Sequence, residues 1–344
     1  MTAAGERVSY LTSDPDDPGL SADNELLRAF CIGNGLIRTI CFQFLDAGVM
    51  LMTMVDFNKL QLKRSVNPVR YAFMFHSLIS VHMADHADSY DDYDAVLCAG
   101  PHQMRELRKR EAMLGQAPKQ LFEHGYERLE TLLAERRDPP PASSDAATHV
   151  LLAPSWGDET ILNVCGDELV DVLIAAGFRV TLRPHYQTRW NTPEVIDRIV
   201  AKHRSNPQFS LIEQMGESDS LYDSHVMITD WSGAGMDYGM GLEKPVLYID
   251  VPPKARNDWW PELGIEPFEM YVRDKIGRIA SPDELAGVPQ LIRDMLREPE
   301  VFRAQVAALR DEWVFNPGSS PAAAAAAVRE LARQANTTSE PARV

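Results

Sequence analysis

Cysteine is scarce in this chain of 344 residues, which contains only four. Cys31, Cys41, Cys98 and Cys165 are widely scattered and form no Cys-x-x-Cys pair. Disulfide-stapled scaffolds and thiolate zinc sites need cysteines at short, repeated spacings, so we expect neither. Structural thiols in a reducing cytoplasm are the simplest interpretation.

Long apolar runs are missing as well. Residues 36–55 are fairly apolar, but Arg38, Gln43 and Asp46 interrupt them, so we predict no membrane-spanning helix. The N-terminus lacks the basic-then-apolar pattern of a secretion signal. We therefore expect a cytoplasmic protein, which could also lie as a peripheral protein at the cytoplasmic face of the membrane.

Positive charge is also in short supply. Lysine and arginine number 34 against 50 aspartate and glutamate residues, which gives a formal net charge of −16. Nucleic-acid binding and polybasic membrane anchoring both need a basic surface, so this charge argues against both. The 45% hydrophobic and 24% charged residues are ordinary for a globular protein, and the length suffices for two domains.

The first half of the chain alternates between helix-like and strand-like segments. Residues 1–23 are polar and predict a flexible N-terminal tail, and helical spacing follows from Asn24 to about Asp46. Short apolar runs of strand type then occur at Val49–Val55, Val69–Phe75 and Ala95–Cys98. This pattern predicts a Rossmann-like domain over residues 24–137.

A proline-rich linker separates this half from a second alternation. Residues 138–147 contain three consecutive prolines followed by two serines, a composition typical of linkers. Strands and helices then alternate over Val150–Ala153, about 160–176, Arg179–Arg183, Pro193–Ser205 and Phe209–Ile212. We predict a second Rossmann-like domain over residues 148–315 and an alanine-rich helix with a tail over residues 316–344.

The most informative motif follows the apolar run Val226–Ile228. Thr229 and Asp230 end this run, and Ser232 and Gly233 begin a turn that leads into a helical segment and a second apolar run. The order predicts strand, tight turn, helix, strand. Such a turn favours an anion, because free backbone N–H groups, a hydroxyl and a small residue face the ligand. Capping of the helix by Asp230 and Ser232 is the structural alternative.

Polar side chains follow other predicted strands in the same way. His76 ends a strand of the first domain, Ser155 ends the first strand of the second domain, and Arg183 and His185 end the next one. Imidazole titrates near neutrality and can act as a general base, whereas arginine or protonated histidine can stabilise a charged leaving group. The carboxyl ends of parallel strands therefore predict one ligand-binding cleft.

These segments together resemble the CDP-glycerol glycerophosphotransferases, the polymerases and primases of teichoic-acid-type and capsule polymers. The resemblance rests on Phe75-His76-Ser77, Gly125-Tyr126-Glu127-Arg128, Ala153-Pro154-Ser155-Trp156, Arg183-Pro184-His185 and Thr229-Asp230-Trp231-Ser232-Gly233. It covers roughly residues 70–290 in motif order. Ser77 stands where the family carries glycine, and a lysine often found shortly afterwards is absent, so the acceptor stays open.

The resemblance implies a GT-B architecture and a CDP-linked polyol as the donor substrate. A glycerol-phosphate or related unit would pass to a hydroxyl of a cell-envelope glycan or a lipid-linked acceptor, with release of CMP. His76 and His185 would be catalytic, with His76 as the general base. The diphosphate and nucleotide would meet Ser155, Arg183, Thr229, Asp230, Ser232, Gly233 and Asp237. Gly125, Arg128 and Glu213 would lie in the cleft.

Two alternatives stay open at this point. A GT-B glycosyltransferase could use a nucleotide sugar for surface-glycan synthesis, since the phosphate cradle does not distinguish attack at phosphorus from attack at an anomeric carbon. A nucleotide-binding subunit of an envelope-glycan assembly complex could lack turnover altogether. His82 and His86 share a helical face but have no third ligand at useful spacing, so we expect no metal site and no certain cofactor. A need for a divalent cation is left open.

Overall fold

The computed structural model of the chain describes residues 1–55, 57–59, 62–137, 147–212 and 219–339. These residues form three parallel sheets with two, four and six strands. The predicted linker lies almost entirely outside them, because residues 138–146 are not described. Within the described residues, no helix has the length and apolar character that crossing a membrane requires.

The N-terminal segment forms strands where we predicted a flexible tail and the start of a helix. Strand β1 (Val8–Thr12) pairs in parallel with strand β2 (Leu27–Cys31), and helix α1 (Leu36–Gln43) follows. The β-branched and aromatic residues of Val-Ser-Tyr-Leu-Thr favour an extended backbone, a local signal that the surrounding acidic residues and prolines obscured. Between the strands, the Asp17 side chain accepts a hydrogen bond of 2.8 Å from the Gly19 amide.

Four parallel strands form the sheet of the N-terminal half, in the order β3-β4-β5-β6. They are β3 (Val49–Met52), β4 (Arg70–Met74), β5 (Ala95–Cys98) and β6 (Gln120–Glu123). Helices α2 (Val81–Ala84), α3 (Pro101–Leu114) and α4 (Glu127–Glu135) connect and follow the strands. The predicted strands of this half are therefore confirmed. Helix α3 begins with proline and ends at Gly115 in the left-handed conformation, a common arrangement at helix ends.

The C-terminal half contains six parallel strands in the order β12-β11-β10-β7-β8-β9. They are β7 (His149–Leu152), β8 (Arg179–Leu182), β9 (Phe209–Leu211), β10 (Val226–Thr229), β11 (Val246–Ile249) and β12 (Gly277–Ala280). Every residue of β7, β10 and β11 is buried, as expected for strands covered on both faces. The winding direction reverses between β7 and β10, and doubly wound sheets bind ligands at such a switch point.

The helices of this half connect its strands and then return to the first half. They are α5 (Ile161–Val164), α6 (Gly166–Ala175), α7 (Tyr186–Asn191), α8 (Pro193–His203), α9 (Asp219–Asp223), α10 (Gly233–Met236), α11 (Phe268–Val272), α12 (Val288–Met295), α13 (Pro299–Trp313) and α14 (Ser320–Ser339). Helix α10 continues directly into a π-helical turn, Asp237–Gly241.

Helix α14 packs on the N-terminal sheet, although it follows the C-terminal sheet in the chain. Ala327 and Leu331 are buried against Ala72, Ala95 and Leu97 of that sheet. The crossing between α13 and α14 is fixed where the Phe315 amide donates a 2.9 Å hydrogen bond to the Ala99 carbonyl. The alanine-rich helix predicted from the sequence is thus part of the first half's packing.

Direct contacts join the two halves at a second place. The segment before α11 forms hydrogen bonds with helix α2. The Arg256 amide donates to the Met83 carbonyl at 3.0 Å, and the Asn257 side chain donates to the His82 carbonyl at 2.9 Å. The Glu269 carboxylate accepts a hydrogen bond of 2.9 Å from the Ser80 amide. These buried polar contacts hold the carboxyl edges of the two sheets close together.

Candidate functional site

A basic cavity of about 320 Å³ lies at the carboxyl edge of the C-terminal sheet. Arg183 follows β8, Arg189 lies on α7, and Arg128 reaches across from α4 of the other half. Three guanidinium groups around one cavity are notable in a protein of net charge −16. Guanidinium groups bind phosphate through two parallel hydrogen bonds, so this cavity suits a phosphorylated anion.

Arg183 lies directly after β8 at the edge of this cavity. Its side chain is half-buried, and none of the carboxylates in the described residues forms an ion pair with it. Burial, and then the nearby Arg128 charge, lower the pKa of Arg183. A partly desolvated cation beside a like charge is stabilised when an anion enters, so these shifts favour binding of a negatively charged group.

His185 borders the same cavity as the N-cap of α7. Its Nδ1 accepts a hydrogen bond of 3.1 Å from the Gln187 amide, which leaves the proton of the neutral ring on Nε2. Burial, and then the Lys254 charge, lower its pKa to about 4. The ring is therefore neutral near pH 7, whereas the sequence had suggested a protonated histidine. It can offer one N–H group to a ligand but no charge.

Ser232 and Gly233 form the turn that follows β10. The Ser232 hydroxyl accepts a hydrogen bond of 3.3 Å from the Ala234 amide, so the capping alternative is correct for this residue. Ser232 also lines the basic cavity, where its hydroxyl proton can still be donated. Gly233 has open surroundings, because a Cβ atom there would meet only Ile79, at 3.6 Å.

Thr229 and Asp230 are buried at the end of β10, and their predicted contact with the diphosphate stays a prediction. The Thr229 hydroxyl is buried and donates to the Ala153 carbonyl at 2.6 Å. Asp230 is also buried, and its carboxylate accepts hydrogen bonds from the Ser155 and Trp231 amides at 2.8 and 2.7 Å. Its second oxygen accepts from the Ile161 amide at 3.1 Å. Both residues therefore position the ends of β7 and β10.

Ser155 lies outside the lining of the basic cavity, so its predicted contact with the donor stays a prediction. Its side chain is buried and borders a separate cavity of about 300 Å³, beside Trp156 and Lys254. Trp156 stands between the two cavities: its ring packs against His185 with the centroids 6.0 Å apart, and Lys254 Nζ lies 3.9 Å from its centroid. Burial, and then the Arg256 charge, lower the pKa of Lys254 to about 8.

A larger cavity of about 600 Å³ lies at the carboxyl edge of the N-terminal sheet. His76, the predicted general base, follows β4 and lines this cavity with an exposed ring. His124, after β6, is buried beside it, with Nε2 3.1 Å from the Phe75 carbonyl oxygen. Burial lowers the pKa of His124 to about 4, so this second histidine is neutral.

The basic cavity and the larger cavity meet at two residues, Arg128 and Asp237, each of which lines both. Asp237 opens the π-helical turn, and its carboxylate accepts a 3.0 Å hydrogen bond from the Tyr126 hydroxyl of the other half. Burial raises the pKa of Asp237 to about 6, although Tyr126 and Arg128 both act to lower it. A carboxyl group of this kind can accept a proton near neutral pH.

From the sequence we predicted that Asp237 would meet the diphosphate and nucleotide. The structure instead puts its carboxylate between the two halves of the molecule. The motif Gly125-Tyr126-Glu127-Arg128 contains Tyr126, but we predicted no role for it, and we did not predict Arg189 as a site residue. No spacing rule could have found Arg189, because its place in the cavity depends on the hydrogen bond from its guanidinium to the Ile212 carbonyl.

The remaining predicted cleft residues have other places. Gly125 adopts a left-handed backbone with φ +98°, and a Cβ atom there would lie 2.3 Å from the Phe315 carbonyl oxygen. It therefore allows the crossing into α14, and its predicted place in the cleft stays a prediction. Glu213 lies outside the described residues. Across the part of the chain that the structure covers, no group of three histidine, cysteine, aspartate or glutamate side chains could hold a metal ion.

Known structures share this architecture. UDP-GlcNAc 2-epimerase from Methanocaldococcus jannaschii, in complex with UDP-GlcNAc and UDP, covers 91% of this chain and 85% of its own length, with a TM-score of 0.55 and 12% identity. A glycosyltransferase from Rickettsia africae covers 96% and 91%, with a TM-score of 0.53 and 11% identity. A UDP-N-acetylglucosamine 2-epimerase homologue from Listeria monocytogenes covers 98% of both chains, with a TM-score of 0.51 and 13% identity.

These similarities show the fold of the chain. Two Rossmann-like halves that face a cleft form the GT-B architecture, so the predicted fold class is confirmed. No protein-family model matches the chain, and no curated protein matches it in sequence. None of the three structures is described as a glycerophosphotransferase, so the CDP-glycerol part of the resemblance stays a prediction.

Proposed function

We propose that this protein is a transferase that moves a sugar from a nucleoside-diphosphate donor substrate to an acceptor hydroxyl. The observation that carries the proposal is the meeting of two different cavities at Asp237 and Arg128. One cavity carries the positive charge that a diphosphate needs, and the other provides room for a second substrate. An epimerase acts on one substrate, so the second cavity favours transfer over epimerisation.

The donor diphosphate would lie in the basic cavity. Arg183 and Arg189 would bind its oxygens, with the Ser232 hydroxyl and the neutral His185 N–H group as further hydrogen-bond donors. The fold-sharing epimerase that was solved with UDP-GlcNAc and UDP supports a nucleotide sugar as the donor. It does so more directly than any comparison supports a CDP-linked polyol.

The acceptor would enter through the larger cavity and reach the donor at Asp237. Its hydroxyl oxygen would form a bond to the anomeric carbon and lose its proton to the Asp237 carboxylate. The bond between the anomeric carbon and the diphosphate oxygen would break, and its electron pair would leave with the nucleoside diphosphate. The arginines would stabilise the charge that develops on this leaving group.

Asp237 is a better candidate for the general base than His76, which we predicted from the sequence. A base must lie where the acceptor hydroxyl meets the donor, and Asp237 lines both cavities, whereas His76 lines only the larger one. We therefore assign orientation of the acceptor to His76. The Tyr126 hydroxyl would hold the carboxylate in place as a positioning group.

Transfer of a polyol phosphate from a CDP-linked donor is the second candidate. The ordered motifs from His76 to Gly233 favour it, and the same basic cavity would hold its diphosphate. In this reaction the acceptor oxygen would attack the distal phosphorus and expel CMP. The base and the acceptor cavity would keep their roles.

A panel of nucleotide donors tests the proposal. We expect release of UDP or GDP from a nucleotide sugar, with strong loss in Asp237→Asn and no loss in Asp283→Asn, an exposed aspartate elsewhere in the same half. Release of CMP from CDP-glycerol or CDP-ribitol would establish the second candidate instead. Nucleotide binding with no release from any donor, across a panel of acceptor alcohols and sugars, would contradict both and identify a binding subunit.

A further inference from the structure

We propose that the larger cavity selects an acceptor alcohol with an apolar body and directs its hydroxyl toward Asp237. This inference rests on the proposed function and adds the chemical class of the acceptor. The shared chemistry is a hydroxyl group on an aliphatic or aromatic body, as in a lipid alcohol or a free hydrophobic small molecule. A polyhydroxylated glycan chain is the competing class.

The walls of the cavity are apolar side chains from two distant parts of the sequence. Strands β3 and β4 and their ends provide Leu51, Met74 and Phe75, and helix α14 provides Ala324, Ala325 and Val328. Apolar side chains cannot replace the hydrogen bonds that sugar hydroxyls make with water, so a glycan would lose free energy against these walls. An apolar body gains free energy in proportion to the apolar surface area that it buries there.

The alanines of α14 explain why the cavity exists. Helix α14 packs closely on the N-terminal sheet through Ala327 and Leu331, while Ala324 and Ala325 face the cavity with side chains of a single carbon. Larger residues at these positions would fill the space. The cavity of about 600 Å³ is thus kept open by small residues on a well-packed helix.

The polar groups on the cavity lie along one edge, where His76, His124 and Glu127 accompany the residues of the junction. Tyr126, Arg128 and Asp237 lie together at the junction with the basic cavity, where Tyr126 donates its hydrogen bond to Asp237. Ser320, on the α14 side, is already satisfied, because its amide and its hydroxyl both donate to the Glu130 carboxylate, at 2.9 and 2.5 Å. A hydroxyl on a mainly apolar body therefore matches this arrangement: the body contacts the apolar walls, and the hydroxyl lies at the polar edge beside His76 and Asp237.

Binding of 2-naphthol tests this inference without any turnover, since its fluorescence reports its environment. We expect saturable binding to the wild type, and at least a roughly tenfold loss of affinity in Ala325→Trp, in which the new ring occupies the cavity. Ala326→Trp is the matched control, because Ala326 is the next residue of the same helix but is exposed. Ala325→Leu serves as a smaller obstruction if the tryptophan variant does not fold.

The outcomes separate the inference from the proposed function. UDP binding, measured in parallel, should be the same in wild type, Ala325→Trp and Ala326→Trp. If 2-naphthol binds equally well to all three proteins, or if maltose binds or accepts a sugar where 2-naphthol and 1-octanol do not, the inference is overturned while the donor site stands. Absence of UDP binding to the wild type would instead contradict the proposed function.

A second arm distinguishes the two sources of an apolar alcohol. The same transfer assay is run with 1-octanol in solution and with dodecanol held in phosphatidylcholine vesicles. Faster transfer to the vesicle-bound alcohol would indicate a lipid acceptor, and faster transfer to the dissolved alcohol would indicate a free small molecule. Either result supports an apolar acceptor, whereas transfer to maltose alone contradicts it.

Discussion

The basic cavity and the apolar cavity are constructed in different ways, although they meet at the same two residues. The basic cavity is formed mainly at the carboxyl ends of strands β7, β8, β9 and β10 of one sheet and by the helices that follow them, together with Arg128 of the other half. The apolar cavity combines strand ends of the other sheet with helix α14, which lies about 200 residues later in the chain. Local strand–turn signals therefore indicate part of the charged substrate site, Arg183, His185 and Ser232, whereas long-range packing defines the apolar one.

This difference gives the two cavities separable roles. A change in the arginines should affect binding of the nucleotide, and a change in α14 should affect binding of the acceptor. A change at the junction should affect turnover more than either binding step. Four variants test this separation.

Asp237→Asn should have the largest effect, because it removes the proton acceptor where the cavities meet. We expect kcat to fall by about 10²- to 10⁴-fold, the usual contribution of a general base. The asparagine can still accept the Tyr126 hydrogen bond, so UDP binding should change little. Steady-state kinetics and UDP titration of this variant measure both effects, and an equal loss in Asp283→Asn would contradict the assignment.

At pH 8, Asp237→Asn should be no less stable to unfolding than the wild type. Burial raises the pKa of Asp237 to about 6 in the folded protein, against about 3.9 for an unfolded aspartate. The folded state therefore binds this proton more tightly, so the stability from the group is fully present below pH about 3.9 and is lost as the pH rises through about 6. Thermal unfolding at pH 5 and pH 8 checks the sign: the advantage of the wild type should shrink at the higher pH.

Arg183→Ala should have the next largest effect, and it should appear in nucleotide binding. Charge-assisted hydrogen bonds contribute about 1.5–3 kcal/mol, which corresponds to roughly a 10- to 100-fold loss of UDP affinity. Arg183→Lys should recover only part of this loss, because lysine cannot form the two parallel hydrogen bonds. Arg204→Ala removes an exposed arginine from the same half and should leave UDP binding unchanged.

His76→Ala separates the base that we predicted from the base that the geometry favours. Activity should rise with pH through about 6 in the wild type, as Asp237 loses its proton. The variant should keep this rise and lose only about 2- to 10-fold in kcat/KM, the contribution of an orienting hydrogen bond. Disappearance of the acidic limb in the variant would return the role of base to His76.

Tyr126→Phe should have the smallest effect, which should be a shift of the pH–rate profile along the pH axis. The Tyr126 hydrogen bond acts to lower the pKa of Asp237, so its loss should move the acidic limb of the pH–rate profile to higher pH. Tyr10→Phe is the matched control, because its hydroxyl also donates to an aspartate, Asp17, but at the surface. An acidic limb at the same pH in Tyr126→Phe and in the wild type would show that this hydrogen bond does not alter the pKa of Asp237.

Periodicity and strand-end residues predicted the fold and much of the basic cavity. Strands β4, β7 and β10 were visible as short apolar runs, and Arg183, His185 and Ser232 follow strands directly. Asp230 shows the limit of this reasoning. A strand-end carboxylate looked like a ligand contact, but its oxygens are used by amides that lie about 70 residues away in the chain.

The apolar cavity could not be predicted for a related reason. An alanine run favours a helix but does not indicate what the helix packs against. Only the crossing at Phe315 brings Ala325 opposite Leu51 and Met74. The pairing of Tyr126 with Asp237 joins residues 111 positions apart and depends on the same closure of the two halves.

A titration of UDP into three proteins tests the separation of the two cavities most directly. We expect UDP to bind the wild type and Ala325→Trp with the same affinity, and to bind Arg183→Ala at least about tenfold more weakly. Equal binding to the wild type and Arg183→Ala, or a loss confined to Ala325→Trp, would show that the nucleotide does not occupy the basic cavity.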